Sequence, residues 1–557
     1  MADYEFYFTS SLEKVFPTKR VKEEKSSNFN IFKNERLNLQ LVYSLFDADI
    51  DARNRYFNVN IEGDIDFELF DVNLVKCEYL ATENRDRFYI DTNPGLYPDL
   101  LTNNKGLIKP LPNQFKSLWI AFKSNEKTIN TKVKIKLEEV FFEGNSGKRI
   151  DTNKVFFEKE IEINVVDYSL PELPIKHTQW FHSDSIANYH KVDVFSEEHW
   201  ALLEKYIDFA ANRADINMLL TPVFTPSLDT DVDKERLTVQ LVDVFYKNNK
   251  YEFNFDKLKR WCDICKKCGI KYIEVAHFFT QWGAMATPKI IVSELDENNN
   301  YISKKKFGWH VKASDKEYRK FLEAFIPALI NALADFGYSK DKLYFHISDE
   351  PNLKSLESYA IAKNQVKDLL IDCNIIDALS DYSFYENKLV EIPIPSNDHI
   401  EPFVNNVEEL WTYYCIAQGN LVPNRFIALE SSRNRIMGVL MYLYNIKGFL
   451  HWGYNYYESE NSRESINPFI TTDGNCAFPS GDPFLVYPGP LSSIRNEVQV
   501  EGFNDLKLLY LVEEKLGRDK TIELIKEGQS SSFSFKDYPR NSAYLINLRN
   551  KLVQLFI

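Results

Sequence analysis

Several features that define common classes of protein are scarce or missing in this sequence. Its 557 residues contain seven cysteines, an odd number spread thinly, which favours reduced thiols in a cytoplasm over a disulfide framework. No segment approaches roughly 18 uninterrupted apolar residues, so we expect no membrane insertion. The first residues do not combine a basic stretch with an apolar run, so the chain as given predicts no secretory signal and a cytoplasmic location.

Motifs that would indicate a nucleotide, a metal or a serine nucleophile are also missing. We find no glycine-rich phosphate loop, no Gly-x-Ser-x-Gly motif and no His-Glu-x-x-His pattern among the nine histidines. Cys262, Cys265 and Cys268 are spaced by three residues but lack a fourth ligand nearby, which favours buried thiols on one helix face over a zinc or iron–sulfur site. The sequence therefore predicts no metal and no cofactor.

The charge balance is acidic and the aromatic content is high. Lys and Arg number 67 against 81 Asp and Glu, a formal net charge of −14, which argues against an extended surface for nucleic acid or anionic membrane. Aromatic residues make up 14% of the chain, including 41 Phe and 31 Tyr. Such a chain can build large cores, and its rings also suit stacking on the C–H faces of sugars.

The first part of the chain has the character of a β-protein. Short, partly alternating runs such as "RYFNVNIEG" and "KVKIKLEEVFF" are separated by Asn, Asp, Gly and Lys, and no strong long helix intervenes. This pattern is typical of antiparallel sheets packed face to face. We therefore predict an N-terminal antiparallel β-sandwich domain over residues 1–168.

From about residue 169 onward, strand-like runs alternate with amphipathic helical stretches. Eight such units predict a (β/α)₈ barrel with a C-terminal helical tail, over residues 169–557. A doubly wound sheet is the alternative, but it lacks its phosphate loop here. The predicted barrel strands are 177–182, 215–222, 271–278, 342–348, 375–381, 409–415, 448–454 and 483–489.

Two adjacent acids, Asp349 and Glu350, follow the predicted fourth strand in the segment "HISDEPN". Catalytic groups of such barrels come from the carboxyl ends of the strands. Neighbours on an extended chain point to opposite sides, which disfavours the usual glycosidase pair of nucleophile and acid. They fit a mechanism in which a sugar's own 2-acetamido oxygen attacks the anomeric carbon. The alternative is structural, with Asp349 as the N-cap and Glu350 in the first turn of the next helix.

Three segments, "HISDEPN", "GFLHWGYNYY" and "GDPFLVYPGPLSSIRNEVQVEGFNDLKLLYL", resemble family 123 of the glycoside hydrolases, the β-N-acetylgalactosaminidases. The resemblance covers roughly residues 175–515. It implies a retaining, metal-independent enzyme that releases terminal β-linked GalNAc from glycosphingolipid-type glycans through an oxazoline intermediate. Carried over to this chain, Asp349 stabilises the acetamido group and Glu350 is the general acid/base.

Aromatic and polar residues on or after the predicted strands are the candidates for binding the sugar. They are Tyr413, Trp452, Trp411, Asn455, His277, Trp282, Asn217, Tyr487 and Arg495. Trp411 and Tyr413 are two apart in one strand and so face the same way. Tyr413 could donate a hydrogen bond to the acetamido carbonyl, while a Trp would stack on the sugar. Each can instead be a packed barrel residue, and Arg495 can be a structural ion pair near a helix start.

Together these observations predict an exo-acting β-N-acetylgalactosaminidase whose partner is an oligosaccharide with terminal β-GalNAc, not a nucleic acid. Two alternatives stay open at this point. One is a β-N-acetylglucosaminidase or hexosaminidase that uses the same mechanism. The other is a non-catalytic carbohydrate-binding protein on a barrel frame.

Overall fold

The N-terminal part of the chain is built from β-sheets. The computed structural model describes residues 3–46, 54–143, 146–298 and 300–557. The strands that these residues form before residue 170 make two five-stranded sheets, ordered β1-β3-β8-β5-β6 and β2-β10-β9-β4-β7. Their bounds are β1 (Asp3–Ser10), β2 (Asn28–Lys33), β3 (Arg36–Phe46), β4 (Arg55–Glu62), β5 (Asp66–Cys77), β6 (Gly95–Asn103), β7 (Leu107–Ile108), β8 (Lys116–Lys123), β9 (Thr131–Phe142) and β10 (Arg149–Ser169).

Alternation of apolar and polar residues explains how these two sheets pack. In β9, Val133, Ile135 and Leu137 are buried, and the lysines between them are not. Buried side chains from both sheets, such as Leu118 and Ile161, join one hydrophobic core. One pairing departs from the antiparallel expectation, because β2 runs parallel to β10. The division into separate domains at residues 168 and 169 stays a prediction.

The second part of the chain contains an eight-stranded parallel sheet, ordered β20-β19-β18-β15-β12-β11-β22-β21. Loops after β12 and β15 carry a smaller sheet, ordered β14-β13-β16-β17. The strand bounds are β11 (Lys176–Gln179), β12 (Met218–Thr221), β13 (Asp243–Lys247), β14 (Lys250–Asn254), β15 (Tyr272–Val275), β16 (Ile290–Leu295), β17 (Tyr301–Phe307), β18 (Leu343–Phe345), β19 (Asn374–Ala378), β20 (Ile392–Ile394), β21 (Trp411–Tyr413) and β22 (Gly448–His451).

Contacts just beyond β20 close this parallel sheet into a barrel. Ser396 forms a parallel bridge with Tyr413, the last residue of β21. The Tyr413 amide donates a hydrogen bond of 3.1 Å to the carbonyl oxygen of Pro395, and the Asn397 amide donates one of 2.9 Å to the carbonyl oxygen of Tyr413. Because all eight strands are parallel, their carboxyl ends meet on one side of the barrel, where loops can build a site.

The predicted strands require two corrections. The first seven each coincide with a barrel strand, but β20 was not predicted, so 409–415 and 448–454 contain the seventh and eighth strands. Residues 392–394 are short and include Pro393, whose missing N–H normally argues against an interior strand. The eighth predicted strand, 483–489, is wrong, because that apolar run is a buried loop with only isolated bridges.

Helices lie between most of the barrel strands, as the amphipathic stretches predict. Ser196 and Asp315 accept hydrogen bonds from backbone amides as N-caps, and Gly269 ends α3 with a φ of 98°. The outer ring is thin after β19 and β20, where only α6 and a short 3₁₀ turn occur. The bounds are α1 (Ser183–His190), α2 (Glu197–Arg213), α3 (Asp256–Cys268), α4 (Lys316–Asp335), α5 (Leu356–Asn364), α6 (Ser383–Glu386), α7 (Ser431–Arg435), α8 (Met437–Leu443), α9 (Ile494–Leu516), α10 (Arg518–Lys526) and α11 (Ser542–Val553).

Three cysteines lie along one of these helices. Cys262, Cys265 and Cys268 are free and buried along α3, as expected for packed thiols. Across the described ranges, no helix combines the length and apolar character needed to cross a membrane.

Buried ion pairs join the N-terminal sheets to the barrel. Arg495 at the start of α9 pairs with Asp99 of β6, with 2.9 Å between Nη2 and Oδ2, and both side chains are almost fully buried. Arg433 of α7 pairs with Asp86 at 3.0 Å between Nη1 and Oδ2. A charge left alone in such a place is costly, so these pairs fix how the two parts meet.

Breaking the first of these pairs should destabilise the protein strongly. We expect Arg495→Met to lower the free energy of unfolding by about 3–5 kcal/mol, because Asp99 stays buried without its partner. Urea unfolding followed by circular dichroism measures the change. The matched control is Lys520→Met, which removes one member of an exposed pair with Glu523 and should cost about 0–1 kcal/mol. Equal losses in both variants would contradict this assignment.

Candidate functional site

A cavity of about 460 Å³ lies at the carboxyl ends of the barrel strands. Volumes of this order are typical of sites for small molecules. Its described lining combines flat aromatic surfaces with acidic groups and contains no Lys, Arg or His. The tryptophans are Trp180, Trp282, Trp309 and Trp452, and the carboxylates are Asp229, Asp231, Asp349, Glu350 and Glu460.

The adjacent acids Asp349 and Glu350 both face this cavity. Glu350 has a φ of 43°, in the left-handed region that residues other than glycine rarely adopt. Its amide donates a hydrogen bond of 3.0 Å to the carbonyl oxygen of Ala378 at the end of β19. The chain is therefore not extended at the pair, and the turn lets two consecutive side chains line one cavity.

The two carboxyl groups have different surroundings. Asp349 is 7% exposed. Burial raises the pKa of Asp349 well above its usual value, the nearby charge of Glu350 raises it further, and His346 opposes the rise. Glu350 is more exposed, and its Oε1 accepts a hydrogen bond of 2.7 Å from the Tyr413 hydroxyl. The two neighbouring acids are therefore not equivalent in burial or in hydrogen bonding.

Other residues of the lining share the unusual backbone of Glu350. Asp229, Trp282 and Asn461 have φ values of 46°, 58° and 52°. Strained residues of this kind persist where the surrounding structure holds them, and they concentrate at functional sites. Trp282 is held in part by its amide, which donates a hydrogen bond of 2.8 Å to the carbonyl oxygen of Asp349.

Beneath the pair, His346 lies between two buried carboxylates. Its Nε2 is 2.7 Å from Oε1 of Glu274, and its Nδ1 is 3.1 Å from Oδ1 of Asp377. Burial alone would lower the pKa of His346, but the hydrogen bonds to Asp377 and Glu274 outweigh it and raise the pKa to about 9. His346 is therefore a cation at neutral pH that donates both ring protons.

This cluster is also where a metal ion would first be sought. In the part of the chain that the structure describes, His277, His346 and Asp377 offer ligand atoms within 4.8 Å of one another. Both nitrogens of His346 already donate hydrogen bonds to carboxylates, and a metal ligand must be neutral with a free lone pair. The donor set does not fit a metal, and we treat the cluster as a hydrogen-bonded ion network.

Trp452 at the cavity wall is held by a buried acid. Its Nε1 donates a hydrogen bond of 2.9 Å to Oδ2 of Asp482, and its ring packs against Phe478 with 5.0 Å between centroids. Burial raises the pKa of Asp482 to about 7, although Arg425 opposes the rise. These contacts fix the orientation of a ring that lines the cavity.

The cavity brings together only part of the set that sequence reasoning selected. Besides the acidic pair, Tyr413, Trp452 and Trp282 line it. Two of the other candidates lie deeper in the barrel. Trp411 shares the inner face with Tyr413 but is one layer below, where Nε1 donates a hydrogen bond of 2.7 Å to Glu409. The ring of His277 stacks on His346 at 4.0 Å between centroids.

The remaining candidates lie outside the described cavity lining and bind other groups of the protein. Asn455 holds both the amide and the carbonyl of His182, and Asn217 accepts a hydrogen bond from the amide of His177. Tyr487 donates a hydrogen bond of 2.7 Å to Asp99, the partner of Arg495. Arg495 therefore has the structural role that the sequence left open as its alternative.

Several lining residues were not selected from the sequence. Trp180 follows the first barrel strand, so its position in the chain could have indicated it. Others lie on long connections that have no periodicity to place them, namely Asp229, Asp231, Gln281, Trp309, Glu460, Asn461 and Phe478. Asp229 is a third acid with a shifted pKa: burial raises its pKa to about 6, Arg236 opposes the rise, and Glu350 adds to it.

The chain is similar to known proteins both in sequence and in fold. The family model described as glycoside hydrolase 123, catalytic domain, matches residues 180–512, and a comparison with curated proteins found no match. The structure of a family 123 glycoside hydrolase from Clostridium perfringens, solved to describe glycolipid glycan hydrolysis, aligns with a TM-score of 0.71 at 15% identity, over 100% of this chain and 99% of that chain. At this identity, the likeness shows the fold.

Two further solved structures align more loosely. A family 5 mannosidase from Rhizomucor miehei has a TM-score of 0.32 at 12% identity, over 63% of this chain and 96% of that chain. The β-D-glucuronidase of Dictyoglomus thermophilum has a TM-score of 0.32 at 10% identity, over 89% of this chain and 69% of that chain. Neither bears on the site described above.

A glycine next to Trp452 offers a test of how tightly this wall is packed. A Cβ on Gly453 would lie 2.6 Å from the carbonyl oxygens of Asp482 and Pro483. We expect Gly453→Ala to lower the free energy of unfolding by about 1–3 kcal/mol, since backbone must move. Urea unfolding is the measurement. The control is Gly95→Ala, where a Cβ would have no neighbour closer than 3.9 Å, and its free energy of unfolding should change by no more than about 0.5 kcal/mol. An unchanged stability of Gly453→Ala would show that the backbone beside Trp452 can move at little cost.

Proposed function

Because the chain belongs to glycoside hydrolase family 123, we propose that it is a retaining, exo-acting β-N-acetylgalactosaminidase that uses substrate-assisted catalysis. The single observation that carries the proposal is the turn at Glu350, which presents the carboxyl groups of Asp349 and Glu350 to one cavity. Consecutive residues approach a bound sugar from one side. The two-carboxylate mechanism instead needs groups on both sides of the anomeric carbon.

The proposed reaction has two steps. In the first, the acetamido oxygen of the sugar attacks C1 while the bond from C1 to the leaving oxygen breaks, and that oxygen takes the proton of Glu350. The ionised Asp349 accepts a hydrogen bond from the acetamido N–H and balances the positive charge of the oxazoline-like ring. In the second, water attacks C1, gives a proton to Glu350 and reopens the ring. Two inversions at C1 leave its configuration retained.

Burial raises the pKa of Asp349 and opposes its ionised form, but the charges near the pair favour this division of roles. Glu350 must carry a proton at the start, and once it does, its charge no longer raises the pKa of Asp349. The cation His346 then favours the ionised form of Asp349. When Glu350 has given its proton away, the Tyr413 hydroxyl, 2.7 Å from Oε1, can stabilise the new carboxylate.

The shape and charge of the cavity support a neutral sugar as the substrate. Four tryptophans offer faces for stacking on a pyranose ring, and a volume of about 460 Å³ suits a terminal sugar better than an internal chain segment. The described lining has five acidic side chains and no cationic one, and those that are ionised would repel an acidic sugar. An N-acetylhexosamine is neutral and also supplies the acetamido oxygen.

The choice of GalNAc, and of a glycosphingolipid-type glycan as its carrier, follows the family resemblance. The Clostridium perfringens relative was solved for its hydrolysis of glycolipid glycans, which supports that class of substrate here as a proposal. β-GlcNAc differs only at O4, so a hexosaminidase is the second candidate. A non-catalytic sugar-binding role is less well supported, because a binding site has no need of two adjacent acids beside a buried cation.

The acidic pair provides the main test of this proposal. On an aryl β-GalNAc, we expect Glu350→Gln and Asp349→Asn each to lower kcat/KM by roughly 10²–10⁴, since each removes a different catalytic role. Cys476→Ser, at an exposed thiol outside the described cavity lining, is the control and should keep full activity. The assay runs beside the aryl β-GlcNAc and an aryl β-galactoside that lacks the acetamido group. Efficient cleavage of the plain galactoside would falsify substrate assistance.

The acidic lining predicts that anionic sugars are poor substrates. Each ionised carboxylate at about 5–8 Å opposes a sulfate by about 0.5–1 kcal/mol in water. We therefore expect kcat/KM for an aryl β-GalNAc 6-sulfate to be lower than for the unsulfated sugar by a factor on the order of 10–100. Raising NaCl should narrow this gap, since the Debye length falls from about 8 Å at 0.15 M to about 3 Å at 1 M. A gap that ignores salt would indicate a steric cause.

A further inference from the structure

The backbone that leads into the acidic pair is held by a buried carboxylate of the neighbouring strand. Oδ1 of Asp377 accepts a hydrogen bond of 3.1 Å from the amide of Ile347, and Oδ2 lies 3.4 Å from the amide nitrogen of Ser348. The hydroxyl of Tyr359 in α5 also donates to Oδ2. Ser348 is followed directly by Asp349, so a shift of Asp377 would move the pair.

Asp377 is in turn held by His346, and His346 by Glu274. Asp377 lies in β19, Glu274 lies in β15, and His346 directly follows β18, which stands between those two strands in the sheet. All three side chains are completely buried. An imidazolium between two carboxylates satisfies both of its N–H groups with charged acceptors, the strong form of such bonds. The site thus has a buried cation beneath it, held between two carboxylates.

At its other end, the network reaches the floor of the cavity. Trp180, which lines the cavity, donates a hydrogen bond of 2.8 Å from Nε1 to Oε1 of Glu274, the same oxygen that His346 contacts. The Thr178 hydroxyl donates to the other oxygen of Glu274. A continuous series of contacts therefore runs from a ring that would face the sugar to the backbone that carries Asp349.

We propose that His346 is a positioning residue, which holds the Trp180 ring and the Asp349 carboxylate in a fixed relation and places a positive charge beneath Asp349. This inference rests on the proposed function for its effect on catalysis. The proposal assigns His346 no contact with the sugar. His346 holds the site in place through Glu274 and Asp377, and its charge acts on Asp349.

The charges around Asp349 explain why the cation matters. The anionic groups that act on it most strongly are Glu350, Asp229 and Asp377, and all raise its pKa together with burial. His346 is the cation among these groups, and it lowers the pKa. Without His346, the carboxylate that must be ionised for catalysis would hold its proton to higher pH.

His346 itself faces few other groups. Glu274 and Asp377 raise its pKa, and the neutral ring of His277 stacks on it from the loop after β15. Burial, aided by the charge of His346, lowers the pKa of His277 well below its usual value, so the two histidines do not both carry a charge. A neutral neighbour and two anions keep the imidazolium stable across the neutral range.

The test compares the pH dependence of kcat/KM on an aryl β-GalNAc for the wild type and His346→Gln. Glutamine keeps a donor and an acceptor but no charge. We expect the acid limb to move to higher pH by about one unit, and kcat at the optimum to fall by roughly tenfold or more. His199→Gln, at a buried histidine bonded to the Ser183 carbonyl, is the control and should leave the limb in place. An acid limb unchanged in His346→Gln, with only a lower Tm, would overturn the proposal.

A second variant covers the case in which His346→Gln does not fold. Glu274→Gln keeps the shape of Glu274 but removes a charge that raises the pKa of His346. The imidazolium should then lose its proton at lower pH than in the wild type, and the ¹⁵N signals of the ring follow this change directly. If the ring of His346 titrates in Glu274→Gln as it does in the wild type, Glu274 does not support the charge of His346 and the proposed network is wrong.

Nuclear magnetic resonance of the histidine rings gives a readout that does not depend on activity. The ¹⁵N signals of His346, assigned by their loss in His346→Gln or by selective labelling, should report both ring protons up to about pH 9. A neutral ring at pH 7 would reject the proposal even in an active enzyme. Inactivity of the wild type on every acetamido sugar would instead reject the proposed function and leave the ring titration to decide the charge.

Discussion

Compensation of buried charge inside the barrel is the constraint on which the site depends. Glu274, Asp377 and Asp349 are buried acids, and His346 is the cation that faces them. Because its two N–H groups point to carboxylates on neighbouring strands, the ion network also fixes how β15, β18 and β19 stand relative to one another. Electrostatics and geometry at the site therefore have a common origin.

The same rule acts at the junction between the sheets and the barrel. Asp99 and Asp86 are carried by the N-terminal part, and their partners Arg495 and Arg433 by helices of the barrel. Since a buried charge tolerates little displacement of its partner, the N-terminal sheets hold the outer helices in place. Tyr487, which donates a hydrogen bond to Asp99, contributes to this junction and does not line the described cavity.

Much of the fold follows from periodicity and helix capping, and the site follows only in part. Seven barrel strands and the main helices have clear apolar patterns, whereas β20, with Pro393 at its centre, has none. A position at a strand end indicates which mouth of the barrel a residue faces, and this was enough for Tyr413 and Trp452. The position of a residue in the sequence does not give its depth along the barrel axis, which separates Trp411 from Tyr413. Nor does it give the path of irregular connections, such as the one that carries Asp229.

The turn at Glu350 limits the catalytic mechanisms that this site could acquire. Because Asp349 and Glu350 are consecutive, their separation is set by covalent geometry and one rotated peptide, and remodelling of the surrounding strands cannot widen it. A descendant that supplied its own nucleophile would need a new carboxylate from another strand, on the far face of the sugar. Under the mechanism proposed above, every substrate would have to bring its own attacking group until such a residue arose, and this requirement would come from the backbone turn and not from the cavity walls.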